Sequence, residues 1–543
     1  MNNSRRQAII NSAIWSAYGD ALGFMTELAK SSSSVHSRTG KEFIDTTLPW
    51  KRKLDGIYGT QVELPAGTYS DDTQLRLCTS RSINGRGYFD VEAFAKCELP
   101  VWLSYALGAG RGTKVATNNL IKKSVSWFSN FYKQSSLTYV QGGGNGAAMR
   151  IQPHVWAATD LTNLETYIID VIKNAIVTHG HPRGIAGAMM HALSLARLLR
   201  TESISLETLK DDAAICSRAS YFIRLDDMLD SFWVYQWEAE TGESLDSAFA
   251  DVAEELIRDL DLASSWLYSD CSSYADLIDI LGLSDSSQRG SGTKTALTAS
   301  LLLIKHHQVK TSGNFMCDIV NELQTDTDTI ATMYGALFGV IATERPNIYL
   351  QDVNYIISEA QRMFDISEGK QEHSFEYPDA MNWAPNRSSL DNSSVVDGKL
   401  KIELFGELQP ISPIFNDKKK EHLYRWYQTT QGFSILLKRR IFELFNEVVP
   451  KQIFSNSSLV PQAEQYIDSK NQINPVLTQK SDDQEVVHDM KVLVVKAIES
   501  NFDDAIIGQH IKLLANKKNY SIESVIAYSS IIAKAYCGTT QGS

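Results

Sequence analysis

Two short acidic clusters in this chain carry the residue types that bind hard metal ions. They are Ser70–Thr73 and Thr325–Thr329. Each places two carboxylates and neighbouring hydroxyls within about one turn of backbone, just before an apolar run. Adjacent carboxylates repel each other unless a proton or a cation lies between them. If the fold brings the clusters together, four carboxylates converge, and oxygen ligands of this kind favour Mg²⁺, Mn²⁺ or Ca²⁺.

Helix capping is the simpler interpretation of each cluster. Ser and Thr are favoured at the N-cap, and Asp in the first turn is stabilised by the helix dipole. Capping alone explains either cluster taken singly. A cap needs only one such residue, however, so two acidic pairs exceed the requirement. Considered together, the clusters favour metal binding.

Three further features are candidates for a ligand site. The glycine-rich loop 142–146 can present successive backbone N–H groups to an anion such as phosphate, or it can be a turn that allows close packing. His179 follows an apolar helical pattern and either contacts a ligand or caps that helix. Glu27 follows the first apolar helix and, by itself, is an ordinary surface acid.

The elements that must position these residues are predicted to be helices. Residues 1–345 show helical periodicity and little strand-like alternation, which indicates a compact all-α domain. The predicted helices cover 8–15, 89–107, 114–128, 165–178, 184–199, 246–262, 294–306 and 328–342. Many of their positions are Ala or Gly, which allows helices to approach closely.

The chain changes character after the first domain. A helix and a linker rich in Pro, Gly and polar residues are expected over 346–399, followed by a smaller, mostly helical C-terminal domain over 400–543. Within that domain a short strand is predicted at 401–408. Helices are predicted at 420–449, 484–500 and 520–536.

Basic groups alternate with aromatic residues in the C-terminal part, at Lys418–Lys420, Tyr424–Tyr427 and Lys438–Arg440. Such a pattern occurs in nucleic-acid-binding surfaces, and also on the solvated face of an amphipathic helix. The formal net charge of −12 argues against nucleic acid as a general partner and favours the helix.

Composition limits the class of protein. A chain of 543 residues with 43% hydrophobic and 21% charged residues is typical of a soluble protein of two or more domains. Six cysteines are present without zinc-ligand spacing, so a reducing cytoplasm is the expected compartment. No apolar run is long enough to span a membrane, and no membrane partner is expected.

Five motifs occur in a fixed order along the first part of the chain: Gly19–Gly23 with Glu27, Ser70–Thr73, Gly144–Arg150, Thr178-His179 and Asp326–Ala331. In this order they resemble the ADP-ribosylglycohydrolase family. Gly290-Ser291-Gly292, before an Ala- and Leu-rich helix, is similar to a further landmark of that family. The resemblance implies an all-α domain of orthogonal helices that hydrolyses the bond between ADP-ribose and an acceptor.

The resemblance also implies roles for individual residues. Two Mg²⁺ ions, replaced by Mn²⁺ in some members, would be held by Ser70, Asp71, Asp72, Asp326, Asp328 and Thr329. Glu27 matches the active-site glutamate, and Asp71 and Asp328 are expected to be essential for turnover. The diphosphate of ADP-ribose would contact Gly142, Gly143, Gly144, Asn145 and Gly146, and His179 would line the same pocket.

The partner implied by the resemblance is an ADP-ribosylated acceptor, which is a protein, a nucleic acid or a small molecule. One departure from the family suggests an alternative function. Gln324-Thr325 stands where the family usually has Gly-Gly, and side chains at these positions are expected to crowd the approach to the metals. The alternative is a non-catalytic module that binds ADP-ribose or a nucleotide as a sensor or in immunity.

Overall fold

The computed structural model describes residues 2–56, 58–134, 137–309, 315–347, 349–379, 383–416, 422–440, 490–500, 502–516 and 525–532. The chain divides into two compact units, Met1–Ile453 and Phe454–Ser543. The predicted Lys418–Lys420 cluster lies outside the described residues. None of the helices in the described ranges has both the length and the apolar character needed to cross a bilayer.

The first unit is built mainly from helices. In chain order they are α1 (Asn2–Thr26), α2 (Ser32–Thr39), α3 (Asp71–Arg81), α4 (Val91–Ala93), α5 (Leu99–Trp102), α6 (Arg111–Leu120), α7 (Gln152–Ala157), α8 (Ile168–Ile176), α9 (Pro182–Thr201), α10 (Leu206–Cys216), α11 (Ala219–Arg224), α12 (Val234–Thr241), α13 (Leu245–Leu267), α14 (Tyr274–Leu281), α15 (Gly292–Val309), α16 (Met316–Asn321), α17 (Thr327–Ile341) and α18 (Val353–Ser367). Every helix predicted within residues 1–345 has a counterpart here.

The strands of this unit form three antiparallel groups. They are β1 (Trp50–Leu54), β2 (Thr60–Leu64), β3 (Lys133–Gln134), β4 (Leu137–Thr138), β5 (Ser393–Val396), β6 (Lys399–Ile402), β7 (Gly406–Pro410), β8 (Phe415–Asn416), β9 (His422–Thr429) and β10 (Ser434–Arg440). β1 pairs with β2 in a hairpin that the sequence did not predict. The six C-terminal strands form one sheet in the order β10-β9-β7-β6-β5, with β8 paired to β9.

Close backbone packing joins α1 to α17. Glycines recur at four-residue spacing on both helices, at Gly19 and Gly23 and at Gly335 and Gly339. A Cβ atom added at Gly23 would lie 2.4 Å from the Cα of Asp328. Only glycine permits this approach, which brings the start of α17 beside the end of α1. The second acidic cluster therefore lies next to the segment that carries Glu27.

The prediction of a mostly helical C-terminal domain is wrong for the region from 393 to 440. The residues predicted as a helix at 420–449 form β9 and β10 in their described part, which ends at Arg440. The single strand predicted at 401–408 is two strands, because it covers the end of β6, a turn at 403–405 and the start of β7. β9 is buried along almost its whole length. A strand buried on both faces lacks the alternation that distinguishes it from a helix.

The observed division of the chain also differs from the predicted domain boundary at residue 400. The sheet belongs to the same compact unit as the helices, Met1–Ile453. The indole Nε1 of Trp426 donates to the carbonyl of Glu63 at 3.1 Å, and the backbone N–H of Ser434 donates to Asp352 at 2.9 Å. These bonds join the sheet to the hairpin and to the start of α18.

The second unit is helical where it is described. It contains α19 (Met490–Glu499), α20 (Asp504–Asn516) and a helical segment at 525–532. Its small core consists of Leu493, Ala497, Leu514, Tyr528 and Ile532. The helices predicted at 484–500 and 520–536 overlap these elements, and their remaining residues lie outside the described part of the chain.

Candidate active site

The first acidic cluster forms the N-terminus of α3. Ser70 is the N-cap, and its hydroxyl accepts a hydrogen bond from the N–H of Asp72 at 3.3 Å. Asp71 and Asp72 occupy the first turn and are buried. The capping interpretation is therefore correct for Ser70. It does not account for the two buried carboxylates, which are not needed to cap the helix.

Asp20 holds this helix start in place and was missed as a site residue in the sequence. Its two carboxylate oxygens accept the N–H groups of Ser70 and Thr73, each at 2.8 Å, and the side chain is fully buried. It thereby satisfies two backbone donors that an α-helix leaves without partners. The available signal was that Asp20 is the only acidic residue of α1.

The structure brings the two acidic clusters together. The Thr329 hydroxyl donates to Asp72 Oδ2 at 3.4 Å, although the residues are 257 positions apart in sequence. Ser70 Oγ lies at the same distance from that oxygen. The N–H of Thr329 donates to Asp328 Oδ1 at 2.9 Å, which directs the Asp328 carboxylate to the start of α17.

Burial and mutual repulsion raise the pKa values of these carboxyls. Burial, reinforced by the Glu27 and Asp20 carboxylates, raises the pKa of Asp71 to about 8. Burial followed by neighbouring acids also raises the pKa of Asp72 and that of Asp328 well above the usual range for aspartate. The cluster therefore favours a proton or a cation among its oxygens.

The donor set fits a hard divalent cation. Asp72 Oδ1 is buried and has no hydrogen-bond partner among the described residues. The Thr332 hydroxyl faces Asp72 and favours its ionised form, but it too lacks a hydrogen-bond partner there. In the described part of the chain, no group of three or more His, Cys, Asp or Glu side chains is already arranged as a metal site. The fit thus rests on the oxygen chemistry and on the unpartnered Asp72 oxygen.

Glu27 lies one residue beyond α1 and is paired with an arginine. Arg52, on β1, donates to Glu27 Oε2 at 2.8 Å, and both side chains are largely buried. Arg38 donates to the Glu27 carbonyl at 2.8 Å. Burial raises the pKa of Glu27, and the Arg52 guanidinium opposes this rise. Sequence reasoning missed Arg52 because the hairpin that carries it was not predicted.

The glycine-rich loop contacts a second glycine loop rather than standing open. The N–H of Asn145 donates to the carbonyl of Gly290 at 2.8 Å, and the N–H of Gly292 donates to that of Gly143 at 3.0 Å. The N–H groups of Gly142 and Gly143 also donate to carbonyls of the chain. Since three of the loop's N–H groups are used in this way, the packing interpretation holds for them.

Asn145 connects this loop to the second acidic cluster. Its amide donates to Asp326 Oδ2 at 2.9 Å and to the Thr295 hydroxyl at 3.1 Å. The loop and the acidic residues therefore share one site. Binding of a substrate phosphate by Gly142, Gly143, Gly144, Asn145 and Gly146 stays a prediction.

His179 lies against the same loop. A Cβ added at Gly146 would lie 3.1 Å from its Cε1 and 3.3 Å from its Nε2. Its Nδ1 is 2.7 Å from the Thr178 hydroxyl. Burial, followed by the nearby Arg150 guanidinium, lowers the pKa of His179 to about 3, so the ring is neutral near pH 7. A neutral ring can contact a ligand by hydrogen bonding, but it adds no positive charge.

The two residues that replace the family's Gly-Gly differ in environment. Thr325 is fully buried, and its hydroxyl donates to the carbonyl of Glu322 at 2.8 Å. Gln324 is exposed. The Thr325 hydroxyl is therefore bonded within its own turn, and crowding of the approach to the metals by Gln324 and Thr325 stays a prediction.

Two relatives are similar to part of this sequence. ADP-ribosyl-[dinitrogen reductase] glycohydrolase of Rhodospirillum rubrum is 28% identical over 184 residues, which cover 33% of this chain and 54% of the relative. Uncharacterized protein YegU of Escherichia coli (strain K12) is 24% identical over 344 residues, which cover 62% of this chain and 88% of that protein. The match thus spans about half the length of the Rhodospirillum enzyme.

A solved structure, described as an ADP-ribosylglycohydrolase-related protein complex, aligns at 19% identity and a TM-score of 0.40, covering 67% of this chain and 99% of that one. A likeness of this degree adds nothing to the assignment of function. The decisive match is to the sequence model of the ADP-ribosylglycohydrolase family, which covers residues 1–353 and with them both acidic clusters, Glu27, the glycine loop and His179. This chain belongs to the ADP-ribosylglycohydrolase family.

Proposed function

We propose that this protein is a Mg²⁺-dependent hydrolase that cleaves the glycosidic bond between ADP-ribose and an acceptor. The observation that carries the proposal is the convergence of the two acidic clusters. Asp72 contacts Thr329 across the site while its Oδ1 is buried without a partner among the described residues. Several carboxylates buried together are stable as anions only when a cation neutralises them.

Six residues would hold the divalent ions: Ser70, Asp71, Asp72, Asp326, Asp328 and Thr329. Mn²⁺ shares the preference for oxygen ligands and would substitute for Mg²⁺. When bound, the ions supply positive charge at the ribose hydroxyls and Lewis acidity at the site of attack. Asp20 keeps the N-terminus of α3 in register, so that Asp71 and Asp72 enter the site from a fixed helix end.

Glu27 is proposed as the general base. Hydrolysis of a glycosidic bond proceeds through an oxocarbenium-like transition state at the anomeric carbon. A water oxygen forms the new bond to that carbon, and the bond to the acceptor atom breaks. The acceptor keeps the electron pair of that bond and takes up a proton from solvent, which balances the proton that the attacking water loses. Glu27 accepts a proton from the attacking water, and its raised pKa makes it a stronger base than an exposed glutamate.

The glycine loop and His179 are proposed to bind the ADP-ribosyl group. Asn145 fixes the loop against Asp326, so the bound substrate would lie beside the acidic residues. The name of the Rhodospirillum relative specifies a protein acceptor. We therefore propose an ADP-ribosylated protein as the first acceptor class to test.

The test is the release of ADP-ribose from peptides that carry ADP-ribosyl-arginine or ADP-ribosyl-serine. Release is expected with added Mg²⁺ and is expected to stop with EDTA. The full-length Asp328→Asn variant is the matched control, since it removes one carboxylate charge with little change of shape. Titration calorimetry with free ADP-ribose distinguishes the alternative, because tight binding without release from either peptide would identify a sensor and contradict the hydrolase.

A further inference from the structure

A hairpin of the larger unit reaches the candidate general base. Arg52, in the middle of β1, donates from Nη2 to Glu27 Oε2 at 2.8 Å. The side chains are only 16% and 12% exposed. The pair thus fixes one carboxylate oxygen of Glu27.

Arg52 is itself fixed in orientation. Its guanidinium lies 4.3 Å from the centre of the Phe24 ring, and Nη1 donates to the Phe24 carbonyl at 3.4 Å. The ring of Trp50, on the same strand, meets Phe24 edge to face at 5.1 Å. Lys51 and Lys53 alternate with Arg52 along β1 and are exposed. Of the three basic residues of β1, Arg52 is the one that the structure shows bonded to Glu27.

The C-terminal sheet holds the hairpin. From β9, the Trp426 indole donates to the Glu63 carbonyl on β2 at 3.1 Å, and the Tyr424 hydroxyl donates to Asp55 at 2.7 Å. From β10, the Lys438 ammonium pairs with the same Asp55 carboxylate at 3.0 Å. Asp55 directly follows β1, so the sheet contacts β2 and the turn that joins β1 to β2.

The residues of the sheet lie beyond the part of the chain that matches the family, which ends at residue 353. We propose that Arg52 is a positioning residue for Glu27, and that the C-terminal sheet sets the place of Arg52 by holding the β1–β2 hairpin. This inference rests on the proposed function only in assigning Glu27 to the hydrolytic step. The physical basis is that displacing a reacting group by about 1 Å can cost about a hundredfold in rate.

Kinetics test the first half of the proposal. Arg52→Gln is expected to lower kcat for release of ADP-ribose from the ADP-ribosyl-arginine peptide about a hundredfold, with KM nearly unchanged. Arg52→Lys keeps the charge and should restore part of kcat. Lys51→Gln, one residue away on the exposed face, should match the wild type. An unchanged kcat in Arg52→Gln, or a rise in KM alone, overturns the proposal.

A double-mutant cycle tests the second half. Trp426→Phe removes the hydrogen bond to the hairpin and is expected to lower kcat on the order of fivefold. In the Arg52→Gln background the same change should have no further effect, since the sheet then has no arginine to position. Tyr427→Phe removes a hydroxyl from the same strand whose partner is Arg439, and serves as the control. Additive effects of Arg52 and Trp426 contradict the role of the sheet.

Hydrogen exchange at backbone amides tests the positioning role of Arg52 without an activity assay. The N–H groups of Glu27 and Ala29 donate to the carbonyls of Gly23 and Thr26 at 2.8 and 2.9 Å. Arg52→Gln should accelerate exchange at these amides, and Trp426→Phe should do so to a smaller extent. Unchanged protection overturns the proposal. A wild-type protein that releases no ADP-ribose contradicts the proposed function, whereas the exchange result still decides the role of Arg52.

Discussion

Both ends of α3 carry buried ionisable groups, but these groups form an ion pair at only one of the two ends. At the N-terminus, Asp71 and Asp72 lie among other carboxylates, and Asp72 Oδ1 has no partner among the described residues. At the C-terminus, Arg81 donates to both oxygens of Glu98, each at 2.7 Å, and the Tyr377 hydroxyl donates to Glu98 at the same distance.

The surroundings of the two ends differ as well. The Arg81 guanidinium lies 5.1 and 5.0 Å from the ring centres of Phe405 and Phe433, which belong to the C-terminal sheet region. Burial of a charge is costly unless it is paired and hydrogen-bonded. The Arg81–Glu98 pair meets this condition within the chain, whereas the carboxylates at the acidic end of the helix favour a proton or a cation among them. One helix thus separates a structural charge pair from a candidate ligand site.

Neutralising a carboxylate in the acidic site is expected to have the largest effect. Asp72→Asn or Asp328→Asn should reduce turnover on the order of a thousandfold, because each removes charge that binds the ions. The same variants should unfold at a higher temperature than the wild type in EDTA, since they relieve repulsion. Peptide hydrolysis and thermal unfolding measure the two effects. Asp45→Asn, on an exposed pair, is the control, and full turnover in Asp72→Asn would refute the metal site.

Breaking the charge pair at the other end of α3 should affect stability rather than metal response. Arg81→Met leaves Glu98 buried without its cation and is expected to cost about 3–5 kcal/mol of unfolding free energy. Lys399→Met breaks the exposed Lys399–Glu407 pair and should cost less than about 1 kcal/mol. Urea unfolding measures both. Equal losses in the two variants would mean that burial does not distinguish these pairs.

Added Mg²⁺ should stabilise the acidic site. At a free concentration about a hundred times Kd, a ligand that binds only the folded state adds about 2.7 kcal/mol. Thermal unfolding with Mg²⁺ and with EDTA should show this gain in the wild type and in Arg81→Met. Asp328→Asn should lose most of the gain. A gain of the same size in all three proteins would place the bound ion elsewhere.

The packing of α1 on α17 can be tested at one glycine. Gly23→Ala places a Cβ 2.4 Å from the Cα of Asp328, so the helices must separate, at an expected cost of about 1–3 kcal/mol. Activity should fall with stability because Asp328 moves with the backbone. Gly112→Ala is the matched control, because its Cβ meets no atom within 4 Å. Stability curves for the two variants, together with peptide hydrolysis, decide whether this contact sets the site.

Buried histidines that are neutral in the folded state should make the stability of the protein fall at acidic pH. Burial lowers the pKa of each of His154, His179 and His191 to about 3. Because the unfolded-state pKa is about 6.5, the unfolded chain binds more protons below that pH, and stability falls as the pH decreases from about 6.5 towards about 3. Each histidine contributes up to about 1.4 kcal/mol per pH unit.

His191→Gln isolates one of these contributions. The variant should lose less stability than the wild type between about pH 7 and about pH 5, since one proton fewer is taken up on unfolding. Urea unfolding at the two pH values measures the difference. A wild type and variant with parallel pH dependence would show that His191 is protonated in the folded state.

Much of the site could be predicted because its chemistry is local. The pairs Asp71-Asp72 and Asp326-Thr327-Asp328 stand at helix starts, where Ser and Asp have ordinary capping roles and where an excess of carboxylates is visible in the sequence. Their meeting could only be expected from the order of the motifs. The contact between Asp72 and Thr329 depends on the close packing of α1 on α17, which glycines on both helices allow.

Other partners left no comparable pattern. Asp20 caps α3 from a different helix, and Arg52 reaches Glu27 from a hairpin of five-residue strands. Side-chain pairs of this kind depend on which surfaces meet, and a sequence pattern reports only which surface is apolar. β9 and β10 were predicted as helix for a related reason, since strands buried along most of their length show little alternation.

Residue types and spacing alone were enough to indicate the helical domain, the two acidic clusters, the glycine loop and the family to which they belong. Helical periodicity, capping preferences and short motifs are local properties, so they can be recognised from the sequence without the folded structure. Which carboxylate stays without a partner, which arginine holds Glu27 and where the C-terminal strands pack depended on the folded chain. These outcomes follow from burial and backbone contact between distant segments, and burial is what gives a charge its energetic weight.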